Sequence, residues 1–287
     1  FVEGRIQSTI DVTKEDVALF IDGGYYLNVH TEDFPAGELR GNLALEASTS
    51  FATLLSGDNE VPEVSTEALG LAVMHYTGIT NVLEIKVQTN GLSGDITGIH
   101  LHMGEDGSNG PVVEDLTPFL NGNTLNVKID AGDYIEDLQN EAIYLNVHTA
   151  QNPDGEIRGN FFQMEGLVYD AQLSGGLEVP ALDNPSFGLA LGFVNSTLDS
   201  LNVAILADNL SDTLTGVHFH QGALGQNGPV SINLTDYIDQ NLIVNEEPLP
   251  LTAAQLSDFL SGNLYINLHT DLYPSGELRG QVYRVAR

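Results

Sequence analysis

The chain holds eight histidines, and seven of them fall in recurring patterns. His100-Leu101-His102 is followed by His148, and His218-Phe219-His220 is followed by His269. His30 stands in a further copy of the pattern that carries His148 and His269. Alternate residues of a strand point to one face, so His100 and His102 project together while Ile99, Leu101 and Met103 take an apolar face. Val217 and Phe219 flank His218 in the same way. On its own strand His148 lies opposite Leu145 and Val147 and shares the polar side with Tyr144 and Asn146. If the two strands are neighbours, three imidazoles converge. Three neutral imidazoles with an open fourth position suit a borderline transition metal, and the Irving–Williams order places Cu²⁺ ahead of Zn²⁺ and Ni²⁺. The expected ligands are His100, His102 and His148 in one repeat and His218, His220 and His269 in the next, with copper or zinc, one ion per complete repeat. The plainer alternative is a set of surface or hydrogen-bonding histidines copied by duplication. His75 recurs nowhere and is expected to be a hydrogen-bonded strand residue.

The elements that must position these residues repeat as well. Tyr-Leu-Asn-Val-His-Thr, a five-residue loop and Gly-Glu-Leu-Arg-Gly begin at Tyr26, and near-identical copies begin at Tyr144 and Tyr265. The alternation, the Pro-x-Gly turn and the resumed alternation read as strand, turn, strand. Leu-Ser-Gly, Glu-Val-Pro, His-x-His and Asn-Gly-Pro-Val precede the pattern twice, so the repeat unit is a whole domain. Residues 1–43 form an incomplete copy, and 44–163 and 164–287 form complete ones. In the second copy, strands are expected near 51–56, 68–77, 82–89, 96–103, 124–129, 143–148 and 157–163. Short alternating strands at this spacing predict an all-β fold: tandem Greek-key, immunoglobulin-like β-sandwiches or barrels.

One short helix per repeat is expected. Thr252 caps it in the third copy with Gln255 in capping-box register, and Leu256, Phe259 and Leu260 share a face. Ile135 and Leu138 keep that face in the second copy, and Val17, Phe20 and Ile21 in the first. The third copy carries three extra residues between Val230 and His269. Short connectors at 44–50 and 162–167 predict repeats packed in line as a semi-rigid rod. Arg40, Arg158 and Arg279 follow Glu38, Glu156 and Glu277 by two residues, which predicts an Arg–Glu pair or an Arg bound to a loop carboxylate. The acidic loop 105–109 lacks a Ca²⁺-ligand spacing and reads as solvated.

Charge narrows the function classes. Forty acidic residues against nine basic ones give a formal net charge of −31. Nucleic acid needs basic clusters, and there are none. Anionic membrane surfaces are disfavoured, and no apolar run reaches the length of a membrane span. The surface concentrates cations instead and suits a salty or extracellular setting. There is no Cys, which removes disulfides and thiolate metal sites. Asn195, Asn209 and Asn233 begin glycosylation sequons, a weak signal. Residues 1–43 lack the opening strands and the His-x-His pair. The expectation is a longer repeat chain assembled into a fibre, in which His30 completes a triad with two upstream histidines.

Leu-Ser-Gly with Glu-Val-Pro, then Gly-Ile-His-Leu-His-Met-Gly, then Asn-Gly-Pro-Val, then Tyr-Leu-Asn-Val-His-Thr with Pro-x-Gly-Glu-Ile-Arg-Gly, resembles the CHRD domain, the repeat named after chordin. The resemblance covers nearly the whole chain. It implies a secreted or cell-surface protein; a structural or interaction role, with self-assembly into filaments and metal ions as partners, is expected from the incomplete first copy and the histidine pattern. The histidines are also similar to the copper side of Cu/Zn superoxide dismutase, which implies copper on His100, His102 and His148 and on His218, His220 and His269. A bridging His, a zinc-ligand loop and a Cys pair are missing from the pattern, so a copper-dependent dismutase or oxidative enzyme is the second expectation. A metal-free adhesion or filament module is the third.

Overall fold

Period-two alternation builds nearly every element. The computed structural model describes residues 12, 13, 15, 16, 19, 24–43, 48–78, 80–132 and 134–284. The chain divides into two units, Phe1–Ser48 and Thr49–Arg287. In the first, β1 (Tyr25–Val29) pairs antiparallel with β2 (Leu39–Leu43), in register from Tyr25↔Leu43 to Val29↔Leu39. Leu27 and Leu39 are exposed there, whereas their counterparts Leu145 and Ile157 are fully buried in the second repeat. The helical face expected at Val17, Phe20 and Ile21 lies outside the described residues.

The second repeat contains β3 (Ser48–Ser56), β4 (Leu69–Thr77), β5 (Val82–Asn90), β6 (Ile96–Met103), β7 (Val112–Asp115), β8 (Leu120–Asn121), β9 (Thr124–Asp130), α1 (Tyr134–Gln139), β10 (Ile143–Thr149), β11 (Ile157–Asn160) and β12 (Phe162–Gln163). The third contains β13 (Leu167–Ser174), β14 (Phe187–Val194), β15 (Ser200–Asp208), β16 (Leu214–Gln221), β17 (Val230–Asn233), β18 (Ile238–Asp239), β19 (Leu242–Val244), β20 (Leu249–Pro250), α2 (Ala253–Ser261), β21 (Leu264–Thr270), β22 (Leu278–Gln281) and β23 (Tyr283–Arg284). Each repeat is one antiparallel sheet, ordered β7-β6-β10-β11-β3-β4-β5-β9-β8 and β17-β16-β21-β22-β13-β14-β15-β19-β18. Leu101 and Leu145, from one end of the first path, share a core cluster with Met74, Ile85 and Leu125 from the other. The sheet therefore curls over itself into an all-β, sandwich-like repeat. The edge strands β7 and β8 are additions to the seven expected ones; their short, polar sequences carry little alternation.

The helix of the third repeat forms as its caps dictate. Gln255 N–H donates to the Thr252 hydroxyl while the Gln255 side chain accepts from the Thr252 N–H, and Gly262 ends the helix at φ 69°. Leu256 and Phe259 are buried, and Phe259 packs on Tyr169 and Phe219. The three extra residues of this repeat interrupt what is one continuous strand, β9, in its neighbour. β15 pairs with β19 through 204–206 and with β20 through 200–201. Between them Asn245 plugs the ladder: its Oδ1 accepts from Val203 N–H at 2.6 Å, and its amide donates to the Leu201 and Glu247 carbonyls at 3.2 and 2.8 Å.

The two complete repeats are not arranged in line. They pack sheet against sheet. Leu71 and Val73 of β4 and Ala52 of β3 form one cluster with Val168, Leu189, Leu191 and Leu206 of the third repeat. β4 is thus buried on both faces, since Ala72 and Met74 belong to its own core, which is why Leu69 to Met74 is an unbroken apolar run. Each such side chain gains about 1.5–3 kcal/mol from full burial. Equivalent elements meet: β5 touches its counterpart β15, β4 touches β15 and β14 touches β5. Asn90 donates to Asp208, its own equivalent 118 positions on, at 2.9 Å. The interface is therefore approximately two-fold. Polar locks flank it. His75, buried as a hydrogen-bonded residue, holds Ser50 at 2.9 Å and Asp170 at 3.3 Å, and Lys86 also bonds Asp170. Among the described residues no helix is long and apolar enough to cross a membrane.

Candidate metal centre

Strand pairing brings the histidines together. β6 and β10 are neighbours, with Tyr144 opposite His102, Asn146 opposite His100 and His148 opposite Gly98. β16 and β21 repeat this register with Tyr265↔His220, Asn267↔His218 and His269↔Gly216. In each triad one nitrogen per imidazole lies within 4.8 Å of the others. Gly98 and Gly216 make room: a Cβ on Gly98 would stand 2.8 Å from the His100 ring.

Four of the remaining nitrogens donate to backbone carbonyls, which fixes the tautomers of those rings. His102 Nδ1–H donates to the Gly110 carbonyl at 2.9 Å and His148 Nδ1–H to the Pro153 carbonyl at 3.1 Å. His220 and His269 make the same bonds to Gly228 and Pro274 at 2.9 and 3.1 Å. His100 Nε2 faces Asp115 at 3.6 Å, and His218 Nε2 faces the Thr235 hydroxyl at 3.4 Å. What is left over is His100 Nδ1, His102 Nε2 and His148 Nε2, then His218 Nδ1, His220 Nε2 and His269 Nε2, all buried and without a hydrogen-bond partner. Orphaned buried nitrogens are expensive, and six of them aimed into two clusters match the donor set of a metal ion. Burial holds the His102 and His148 rings below the ordinary imidazole range, with the neighbouring imidazoles adding to it. Burial and the neighbouring rings lower His218 to about 4 and His269 in the same direction. Neutral rings with free lone pairs are the ligating form.

A built framework surrounds each triad. Tyr144 stacks on His102, with ring centroids 4.8 Å apart, and carries the Arg158 guanidinium 3.6 Å from its own centroid. Tyr265 does the same with His220 and Arg279. The Tyr144 hydroxyl also accepts from Gly110 N–H at 3.1 Å, which steadies the carbonyl that orients His102. The expected Arg–Glu pair does not form. Arg158 donates to the Ser108 carbonyl at 2.6 Å and to Asn109 Oδ1 at 3.0 Å, so it pins loop 105–109 rather than meeting a carboxylate. Arg279 bonds Asn227 and the Gln226 carbonyl in the same manner. Glu156 is fully buried and accepts from Thr66, Ser93 and Thr149 instead. Burial pushes its carboxyl up, but those donors outweigh it and hold it below the usual range. Arg–Glu complementarity loses here because hydroxyl and backbone groups satisfy both ions locally.

The Glu-Val-Pro motif was unassigned from sequence, although its recurrence was a signal. Glu60 accepts from Asn146 at 3.4 Å beneath the 153–155 turn. Burial pushes its carboxyl up to about 7, as it does that of Glu178. Gly155 crosses directly over the pair at φ 133°, where a Cβ would lie 2.5 Å from Asn146 Oδ1 and 2.6 Å from Glu60 Oε1. Only glycine closes that turn and delivers the Pro153 carbonyl to His148. His30 keeps the equivalent bond to Pro35 at 3.0 Å, and Arg40 stacks on Tyr26 at 3.8 Å. His30 belongs to no group of three ligating side chains among the described residues.

The sequence model of the CHRD domain matches residues 2–43, 51–161 and 169–282. No curated protein is matched by the chain.

Proposed function

We propose, for a chain that belongs to the CHRD domain family, a metal-holding structural role: each complete repeat binds one transition-metal ion, copper or zinc, through His100, His102 and His148 or through His218, His220 and His269. The observation that carries the reading is the set of six buried, partnerless nitrogens gathered in two triads. The metal ties β6 to β10 and β16 to β21, so it acts as a cross-strand clamp. At 100 times its dissociation constant a bound ion adds about 2.7 kcal/mol of stability per site. A secreted or surface setting, with repeats joined into longer filaments, fits the formal charge of −31, which suits saline surroundings and enriches cations near the sites.

The test is metal analysis and zinc titration of the purified chain. Two zinc ions per chain are expected, one per triad. His148→Ala removes one and leaves the other. Unchanged stoichiometry and affinity in that variant would show that the triad is not the site. A redox reading is the alternative: the histidine residues are partly exposed, although their inward nitrogens are buried, and catalysis needs a small oxidant to reach a fourth position. Superoxide consumption by the copper-loaded chain above that of free copper separates this catalytic reading from the structural one.

A further inference from the structure

The two triads are duplicated almost contact for contact. Gly110 and Gly228, Pro153 and Pro274, Tyr144 and Tyr265, and Arg158 and Arg279 occupy matching places. One cross-strand neighbour breaks the match. His100 pairs across the ladder with Asp115, and His218 pairs with Asn233. Asp115 places Oδ1 3.6 Å from His100 Nε2, on the side of the ring away from the triad centre. Asn233 accepts from Thr235 N–H at 2.9 Å just as Asp115 accepts from Thr117 N–H at 3.0 Å, but it brings no charge to His218. A second difference points the same way. Asp154 stands in the turn that orients His148, and its counterpart in the third repeat is the uncharged Ser275.

Resting on the metal reading above, we infer that the two sites are unequal: Asp115 makes the triad of the second repeat the tighter, and Asn233 leaves the triad of the third repeat the weaker. A carboxylate behind a ligating imidazole stabilises the positive charge that the ring takes on when its other nitrogen binds a cation, and it fixes the tautomer. Such a partner typically changes metal affinity 10–100-fold. Asp115 is 59% exposed, so water screens it, and the expected gap is at the lower end, about 10-fold. The chain would then fill in order as metal rises, one repeat before the other.

The experiment is calorimetric titration of the full chain with Zn²⁺ alone. The protein is produced without glycosylation, because Asn233 begins a sequon. The unaltered chain is expected to show two classes of site about 10-fold apart. His148→Ala should abolish the tight class and His269→Ala the weak one. Asp115→Asn should narrow the gap from above, and Asn233→Asp should narrow it from below. Both positions are exposed, and far-ultraviolet circular dichroism confirms that the swaps leave the fold intact. Two zinc ions bound with one affinity, or a gap that neither swap narrows, overturns the inequality and leaves metal binding standing. Absence of any zinc binding overturns both.

Discussion

Asp170→Ala tests whether the two complete repeats are held as one unit by buried charge. Asp170 belongs to the third repeat, yet its partners His75 and Lys86 both belong to the second. His75 Nε2–H donates to it at 3.3 Å, and Lys86 bonds it directly. The three side chains are only 4%, 10% and 14% exposed for His75, Asp170 and Lys86. Removing the carboxylate strands a nearly buried ammonium, and breaking such a pair from one side costs about 3–5 kcal/mol. Lys86 keeps Glu84 at 3.5 Å as a poorer partner, so the lower end, about 3 kcal/mol, is expected. For a unit of this size that lowers the melting temperature by roughly 6–12 °C. Replacing Asp170 and Lys86 together with Leu and Met should cost less than Asp170→Ala alone, because no charge is left stranded. The pH dependence has a definite sign. Burial pushes the Asp170 carboxyl up, but the hydrogen bond from His75 and the charge of Lys86 outweigh it and hold it below the usual range. Its contribution is therefore complete above the unfolded value of about 3.9 and disappears as pH falls through the lower folded value. Thermal denaturation at neutral pH and near pH 3 reads both effects. A loss under about 1 kcal/mol at neutral pH, or a double variant as unstable as the two single losses added, refutes the reasoning.

Other consequences can be checked in the same way. Glu60→Gln should stabilise the chain above pH 7 and have little effect near pH 5: a carboxyl raised to about 7 binds its proton more tightly when folded, so stability falls as pH rises from the unfolded value to the folded one. Equal effects at both values, measured by thermal melting, contradict it. Gly155→Ala forces a Cβ to within 2.5 Å of Asn146 at a positive φ and should destabilise by more than about 2 kcal/mol. It should also weaken zinc binding in the second repeat alone, and a neutral result in urea denaturation counts against the turn's role. Asn245→Ala leaves the Val203 N–H unpaired, at about 1–3 kcal/mol, with amide exchange accelerated locally at Val203; protection unchanged there removes the plug from the account.

Much of this was legible in the residues. The period-two pattern of Ile143 to Thr149 and of Ile96 to Met103 sets the strands, and the same alternation puts each imidazole on the face away from Leu101 and Leu145. The capping pair Thr252 and Gln255 marks its helix without help from tertiary structure. Other features were hidden for physical reasons. The partners of Arg158 are backbone carbonyls, and a carbonyl has no sequence signature; the nearby Glu156 was the visible but wrong candidate. The strand β7 depends on pairing with β6 rather than on its own composition, so Asp115 could not be placed behind His100 from sequence. The apolar run at Leu69 to Met74 is buried on both faces. Its second covering, the sheet of the next repeat, is a long-range fact that no local pattern encodes.

The approximately two-fold contact between β5 and β15 makes the two complete repeats the counterpart of a covalently fused dimer. Both partners contribute the same patch, so the contact satisfies itself and closes. A linker as short as 164–166 keeps the two patches at an effective concentration of millimolar order. The patch can therefore tolerate lost apolar area that would dissociate two separate repeats, and its sequence is free to drift into unlike halves such as Asn90 and Asp208. A closed patch also offers nothing to a newcomer. Any longer array must be joined through surfaces other than this one.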